Sequence, residues 1–217
     1  MLKAVLFDMD GVIVDTEPLH RKAYHQMFKD VSIDVDKDLY ASFTGQSTIN
    51  ICRRLVDYFT LNQTPEFLMT LKRKHYKTFF ENDDLELIEG VLDRIKDYYA
   101  NDITMVVASS ASMLGINLIF ERFDLNQYFR AKFSGADLKK SKPHPEIFIK
   151  AAEFTGYNKS ECIVIEDSTN GIQAANAAGI FCVGFKSPHS SHQDYSLANK
   201  VVSKFEEISY SKISNII

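Results

Sequence analysis

Asp8 and Asp10 stand two residues apart at the close of an apolar run, in Ala4-Val5-Leu6-Phe7-Asp8-Met9-Asp10-Gly11. On extended backbone, side chains at i and i+2 project to the same side. Buried together without a partner, the two carboxylates would repel, and one would take up a proton. A hard cation such as Mg²⁺, which prefers oxygen ligands, removes that conflict. A solvated Asp-Met-Asp-Gly turn after a strand explains the fragment equally well, since Asp and Gly are ordinary turn residues.

Three further strand ends carry polar groups. Ser109, with Ser110 beside it, follows Met105-Val106-Val107-Ala108. Lys142 lies in Ser141-Lys142-Pro143-His144-Pro145, and Glu166-Asp167 closes Ile163-Val164-Ile165. Singly, each has a plain structural explanation. Ser109 reads as a helix N-cap, Lys142 as a solvated loop cation, and Glu166-Asp167 as acids preceding a helix N-terminus. Asp15 reads as the cap of the first helix after it, and His144 as a loop residue.

Together these groups suit phosphoryl transfer. A carboxylate can attack phosphorus and divide one hard step into two. Mg²⁺ neutralises phosphate charge while taking only a few carboxylate oxygens. A lysine and a hydroxyl hold the equatorial oxygens as charge shifts, and a second carboxyl protonates the leaving oxygen and later activates water. Complementary groups at four strand ends are hard to obtain from capping habits alone.

The elements that must position them are legible as a pattern. Val5-Leu6-Phe7 is a continuous apolar run closed by Gly, as in a strand covered on both faces. Residues 17 to 82 carry no convincing strand. Leu19, Ala23, Met27 and Phe28 follow helical spacing, as do Ile51, Leu55, Val56 and Phe59, then Phe67, Leu68, Leu71 and Tyr76. Thr64-Pro65-Glu66 reads as an N-cap, a first-turn proline and a first-turn acid. From about Val91, strands over 104–108, 131–133, 162–165 and 180–183 alternate with helices over 112–121, 145–155 and 169–178. Such βα units predict an α/β fold with a doubly wound parallel sheet, all strand ends lying on one edge. The insert leaves at that edge, where a lid would sit. The expected domains are a Rossmann-like core of residues 1–14 and 86–217 and a small all-helical cap of residues 15–85.

Bulk properties narrow the class. The 217 residues carry a net charge of −4, too mild for a general nucleic-acid binder. The three cysteines, Cys52, Cys162 and Cys182, show neither zinc spacing nor a disulfide framework and read as small buried residues in a reducing compartment. The chain opens on a strand rather than a signal peptide, and no apolar run approaches the ~20 residues of a membrane span. The expectation is a cytoplasmic protein, monomeric, acting on a small molecule without nucleic acid or membrane.

At this point the chain resembles the haloacid dehalogenase superfamily of phosphotransferases over its whole length. Asp8-Met9-Asp10-Gly11-Val12 looks like the first motif of that superfamily and Ser109 like the second. Lys142-Pro143-His144-Pro145-Glu146-Ile147-Phe148 looks like the third, and Ile165-Glu166-Asp167-Ser168-Thr169-Asn170-Gly171-Ile172 like the fourth. Asp15-Thr16-Glu17 with the insert is similar to the β-phosphoglucomutase and phosphoglycolate phosphatase branch, which carries a four-helix cap here. The resemblance implies Asp8 as nucleophile and metal ligand, and Asp10 as general acid/base lending its backbone carbonyl to Mg²⁺. It implies Ser109, Ser110 and Lys142 as phosphate-binding, and Glu166 and Asp167 as metal ligands. Met9 should point into the core.

A mutase of this branch needs a cap cation for the distal phosphate. Its Gly-Val-Ser-Arg pattern corresponds here to Gly45-Gln46-Ser47-Thr48, with Thr in place of a bidentate guanidinium. Arg53, Arg54, Lys72 or Lys74 can compensate, and Lys74 is the expected cap contact. His20, Gln46 and Ser47 are candidates for touching substrate. The sequence thus points to a Mg²⁺-dependent phosphatase of a small metabolite, plausibly a sugar phosphate, working through an aspartyl-phosphate. The alternatives are a β-phosphoglucomutase-type mutase and, from another class, a phospho-accepting receiver domain. A receiver lacks such an insert and places its aspartate mid-domain.

Overall fold

A computed structural model describes residues 1–43, 46–82, 85–187, 192–214 and 216, with Asp137 as backbone alone. The chain divides into two compact units, Met1–Asp15 with Leu87–Ile217, and Thr16–Glu86. In chain order, β1 (Ala4–Phe7) precedes the helices of the second unit, α1 (Glu17–Asp30), α2 (Lys37–Ala41), α3 (Thr48–Phe59) and α4 (Pro65–Asn82). The first unit resumes with α5 (Val91–Ala100), β2 (Thr104–Ser109), α6 (Met113–Arg122), β3 (Ala131–Ser134) and α7 (Glu146–Thr155). It ends with β4 (Cys162–Glu166), α8 (Thr169–Ala178), β5 (Phe181–Phe185), β6 (Lys200–Val202) and α9 (Tyr210–Ile213).

The strands form one parallel sheet of order β3-β2-β1-β4-β5-β6. β1 and β4 are buried along their whole length, as central parallel strands must be. Alternate residues serve the two faces. Leu6, Val106, Val164 and Cys182 join Phe148 and Ala151 of α7 and Ile172 and Ala175 of α8 in one cluster. On the other face Phe7 meets Tyr98 of α5 and Phe129, which in turn meets Phe120 of α6. Helices therefore cover both faces, and the doubly wound parallel sheet expected from the sequence is the fold observed. Met9 is buried, as expected.

The winding fixes where chemistry can sit. From β1 the chain runs out to the β3 edge, then returns to β4 and builds the other half. β1 and β4 flank the point of reversal, where open α/β sheets bind ligands beyond their carboxyl ends. Phe7 is level with Val107 on β2 and Ile165 on β4, so Asp8, Ala108 and Glu166 follow at the same height.

The second unit packs Tyr24, Met27, Phe28, Leu39, Phe43, Ile51, Cys52, Leu55 and Leu68 into its own core. Thr64 Oγ1 accepts from the Phe67 amide at 3.2 Å, the expected cap of α4. At α1 the expectation fails. Its N-cap is Thr16 and not Asp15, and no side-chain hydrogen bond caps it. Pro18 in the first turn lacks a donor that would need satisfying. Among the described residues no helix is long and apolar enough to cross a membrane, and the three cysteines are buried free thiols.

Candidate active site

Lys142 lies in the segment leading into α7, and its peptide bond to Pro143 is cis. Its Nζ donates to Asp8 Oδ1 at 2.5 Å, Glu166 Oε1 at 2.8 Å and the Ala108 carbonyl at 2.9 Å. An ammonium has three hydrogens, and here they reach the ends of three adjacent strands, β2, β1 and β4. The Lys142 side chain is 5% exposed and those of Asp8 and Glu166 are 8% and 1% exposed. It is therefore no solvated loop cation.

The acids are held from the opposite side. Glu166 Oε2 accepts from the Ser168 amide at 2.8 Å and its hydroxyl at 2.9 Å. Ser168 is also the N-cap of α8, accepting from the Gly171 amide. Carboxylate oxygens of Asp8, Glu166 and Asp167 lie within 4.8 Å of one another. An all-oxygen, anionic set of that span fits a hard divalent cation such as Mg²⁺. The Asp10 carboxylate lies outside that trio. Its Oδ2 accepts from Ser109 Oγ at 3.4 Å, and Ser109 Oγ accepts from the Ala111 amide at 3.0 Å. The cap of α6 is instead Ser112. Ser109 is fully buried, whereas Ser110 is exposed.

Two glycines make room for the acids. Gly11 has φ +81°, and a Cβ there would lie 2.2 Å from Asp167 Oδ2. A Cβ on Gly171 would lie 1.7 Å from Glu166 Oε1.

Residues 5–185 match the family model of haloacid dehalogenase-like hydrolases. The chain belongs to that family. Among its relatives, the fructose-1-phosphate phosphatase YqaB of Escherichia coli K12 is 30% identical over 181 residues, covering 82% of this chain and 94% of its own length. The β-phosphoglucomutase of Clostridium difficile superposes with a TM-score of 0.82 at 27% identity, covering 99% of this chain and 96% of its own. CbbY of Rhodobacter sphaeroides, in complex with phosphate, shares the fold at a TM-score of 0.89 and 22% identity, covering 99% of this chain and 100% of its own. Membership displaces the receiver-domain alternative.

The electrostatics of this hydrolase follow from crowding acids in a dry site. Burial pushes the Asp8 carboxyl up to about 8; the Lys142 charge opposes this, and Glu166 and Asp10 add to it. Asp167 is raised well above its usual range by burial, then by the charges of Glu166 and Asp8. Burial by itself would lower Lys142, but Asp8 and Glu166 more than offset it and hold the ammonium charged. A raised Asp8 and a close ion pair to Lys142 point in opposite directions for the proton. One ammonium cannot neutralise this many carboxylates. Without a second cation, burial and mutual repulsion favour the protonated forms of Asp8 and Asp167.

In the helical unit of the hydrolase, His20 Nδ1 lies 2.6 Å from Lys72 Nζ, and its ring stacks on Tyr76. An ammonium only donates, so Nδ1 accepts and the imidazole proton sits on Nε2. Burial, then the Lys72 charge, holds the His20 pKa well below its usual value. Lys74, the expected cap contact, is exposed; the buried lysine of that run is Lys72, 3% exposed between the Tyr24 and Tyr76 rings. Gln46 is exposed and donates to the Ser42 carbonyl, Ser47 is the partly buried N-cap of α3, and Gly45 lies outside the described residues. Arg54 is turned onto Ser42 and the Phe43 ring, and Arg53 onto Asn50.

Proposed function

We propose that this hydrolase is a Mg²⁺-dependent phosphatase that hydrolyses a small sugar phosphate through an aspartyl-phosphate on Asp8. The observation that carries the reading is Lys142 Nζ bridging Asp8, Glu166 and the Ala108 carbonyl at the reversal point of the sheet, beside the Asp8, Glu166, Asp167 oxygen set. Asp8 attacks phosphorus, displacing the sugar oxygen, and Asp10 gives that oxygen a proton. Asp10 then takes a proton from the water that attacks the acyl phosphate, releasing phosphate and restoring the Asp8 carboxylate. Lys142 and Ser109, with Ser110 at the exposed rim, hold the transferring group's oxygens. Asp8, Glu166, Asp167 and the Asp10 carbonyl hold Mg²⁺, which when bound supplies the charge that neutralises both phosphate and the crowded acids.

The phosphatase relative supports hydrolysis of a phosphorylated sugar. Residues of the helical unit, His20, Gln46, Ser47 and the α4 lysines, are the candidates for reading the rest of the substrate. The buried free thiols suit a reducing cytoplasm, and we take the protein to act there as a monomer. Turnover of p-nitrophenyl phosphate and a panel of sugar phosphates is expected to vanish in EDTA and to return with Mg²⁺. Unchanged turnover in EDTA sinks the metal-dependent reading.

The mutase relative favours a second reading, against which stands Thr48 in place of the arginine that a distal phosphate would need. Phosphorus NMR with β-glucose 1-phosphate and trace bisphosphate separates the two. Free phosphate is expected to appear faster than glucose 6-phosphate, and the reverse order makes the protein a mutase.

A further inference from the structure

Asp167 lies one residue beyond the last residue of β4, so strand pairing does not fix its peptide. Residues after β5 do so instead. The Tyr195 hydroxyl donates to the Asp167 carbonyl at 2.9 Å and lies 3.2 Å from the Phe185 carbonyl. The Ser187 hydroxyl donates to Asp167 Oδ2 at 3.3 Å. Next along the chain, the Thr169 amide donates to Gln193 Oε1 at 2.6 Å, and the Asp194 amide to Thr169 Oγ1 at 2.8 Å. The sheet leaves space for this arrangement. A Cβ on Gly184 of β5 would come within 2.7 Å of Tyr195 Cδ1, so the ring lies directly on the strand.

We propose that Tyr195 and Ser187 are positioning residues that fix Asp167 for metal binding, Tyr195 through its backbone and Ser187 through its carboxylate. The inference rests on the metal-dependent reading above and extends it to residues that carry no charge. Partners of this kind orient ligands and set metal affinity. A phenol on a rigid ring loses little freedom in doing so, and a neutral serine donor orients Oδ2 without competing as a cation for its charge.

The test is a Mn²⁺ titration followed by the EPR signal of the free ion, on wild type, Tyr195→Phe, Ser187→Ala, Ser187→Thr and Asp167→Asn. The titration runs at a temperature where circular dichroism shows each protein folded. Tyr195→Phe is expected to raise the Kd for Mn²⁺ about tenfold. Ser187→Ala should raise it less, and Ser187→Thr, which keeps the donor, should stay near wild type. The Mg²⁺ concentration for half-maximal turnover should rise in parallel, while turnover at saturating Mg²⁺ recovers. A merely structural role would lower the melting temperature and leave these affinities alone. Wild-type affinity in both Tyr195→Phe and Ser187→Ala overturns the proposal and leaves metal dependence standing. If Tyr195→Phe does not fold, Ser187→Ala decides alone. A wild type that binds no Mn²⁺, or an Asp167→Asn variant that binds it fully, overturns the metal site beneath the proposal.

Discussion

Asp8→Asn is expected to lower phosphatase turnover at least about 10⁴-fold, some 5 kcal/mol of barrier, while making the metal-free protein more stable. An amide keeps the shape of the side chain and an acceptor for Lys142 but cannot serve as the nucleophile. The stability gain follows from the raised acidity constant. Burial lifts the folded Asp8 carboxyl to about 8, whereas in the unfolded chain it ionises near 4. Between those values the native state holds a proton that the unfolded state has lost. Stability therefore falls as pH rises through that interval. Asparagine carries no such penalty. In EDTA at pH 8 its melting temperature should exceed that of wild type by several degrees, reflecting a gain of a few kcal/mol. At pH 5, where most native Asp8 keeps its proton, the gap should shrink. Thermal scans at the two pH values, with and without Mg²⁺, measure it. Turnover within tenfold of wild type removes Asp8 from the nucleophile's place, and a destabilised variant at pH 8 removes the electrostatic argument.

Lys142→Met should harm both chemistry and fold. The loss of one charged donor to a developing phosphoryl charge costs about 10²–10³ in turnover. Breaking a buried ion pair from one side leaves Asp8 and Glu166 without their shared ammonium, at about 3–5 kcal/mol, a melting shift of roughly 10 °C for a chain of this size. The Lys142 pKa is raised above its ordinary value. Its contribution is present at all pH values below the unfolded lysine value and is lost only as pH rises through the still higher folded one. Across pH 5–9 the wild-type ammonium therefore stays charged. The variant should approach wild-type stability only towards acid pH, where protonated carboxyls no longer need a cation. Lys142→Arg should rescue poorly, because a planar fork does not match three acceptors arranged around one nitrogen. Denaturation midpoints and turnover of the Met and Arg variants test this. A Met variant as stable as wild type at pH 8 refutes it.

Much of this arrangement is legible in the sequence. Apolar runs such as Val5-Leu6-Phe7 and Ile163-Val164-Ile165 declare buried parallel strands, and polar residues at their ends declare the edge where they meet. Some elements carry no such signal. β6 has three residues, one of them buried, and α2 and α9 have five and four, too few for helical periodicity to register. Lys72 and Lys74 differ by two positions on one helix, and only packing against Tyr24 and Tyr76 separates the buried one from the solvated one. Tyr195 and Ser187 gave no signal either. A tyrosine in a polar stretch reads as surface, and the carbonyl that it serves carries no side-chain signature.

Gly11 and Gly171 carry no functional group, yet they bound the site as firmly as the acids do. A single methyl at either position would displace a carboxylate that the whole strand order exists to deliver. Part of the specification of this centre is therefore a side chain withheld at two positions so that an acid can fill the space. Grafting it onto another parallel sheet would mean transplanting those two glycines along with the ligands, because a scaffold with every charged residue in register but an alanine at either position would present its acids in the wrong place.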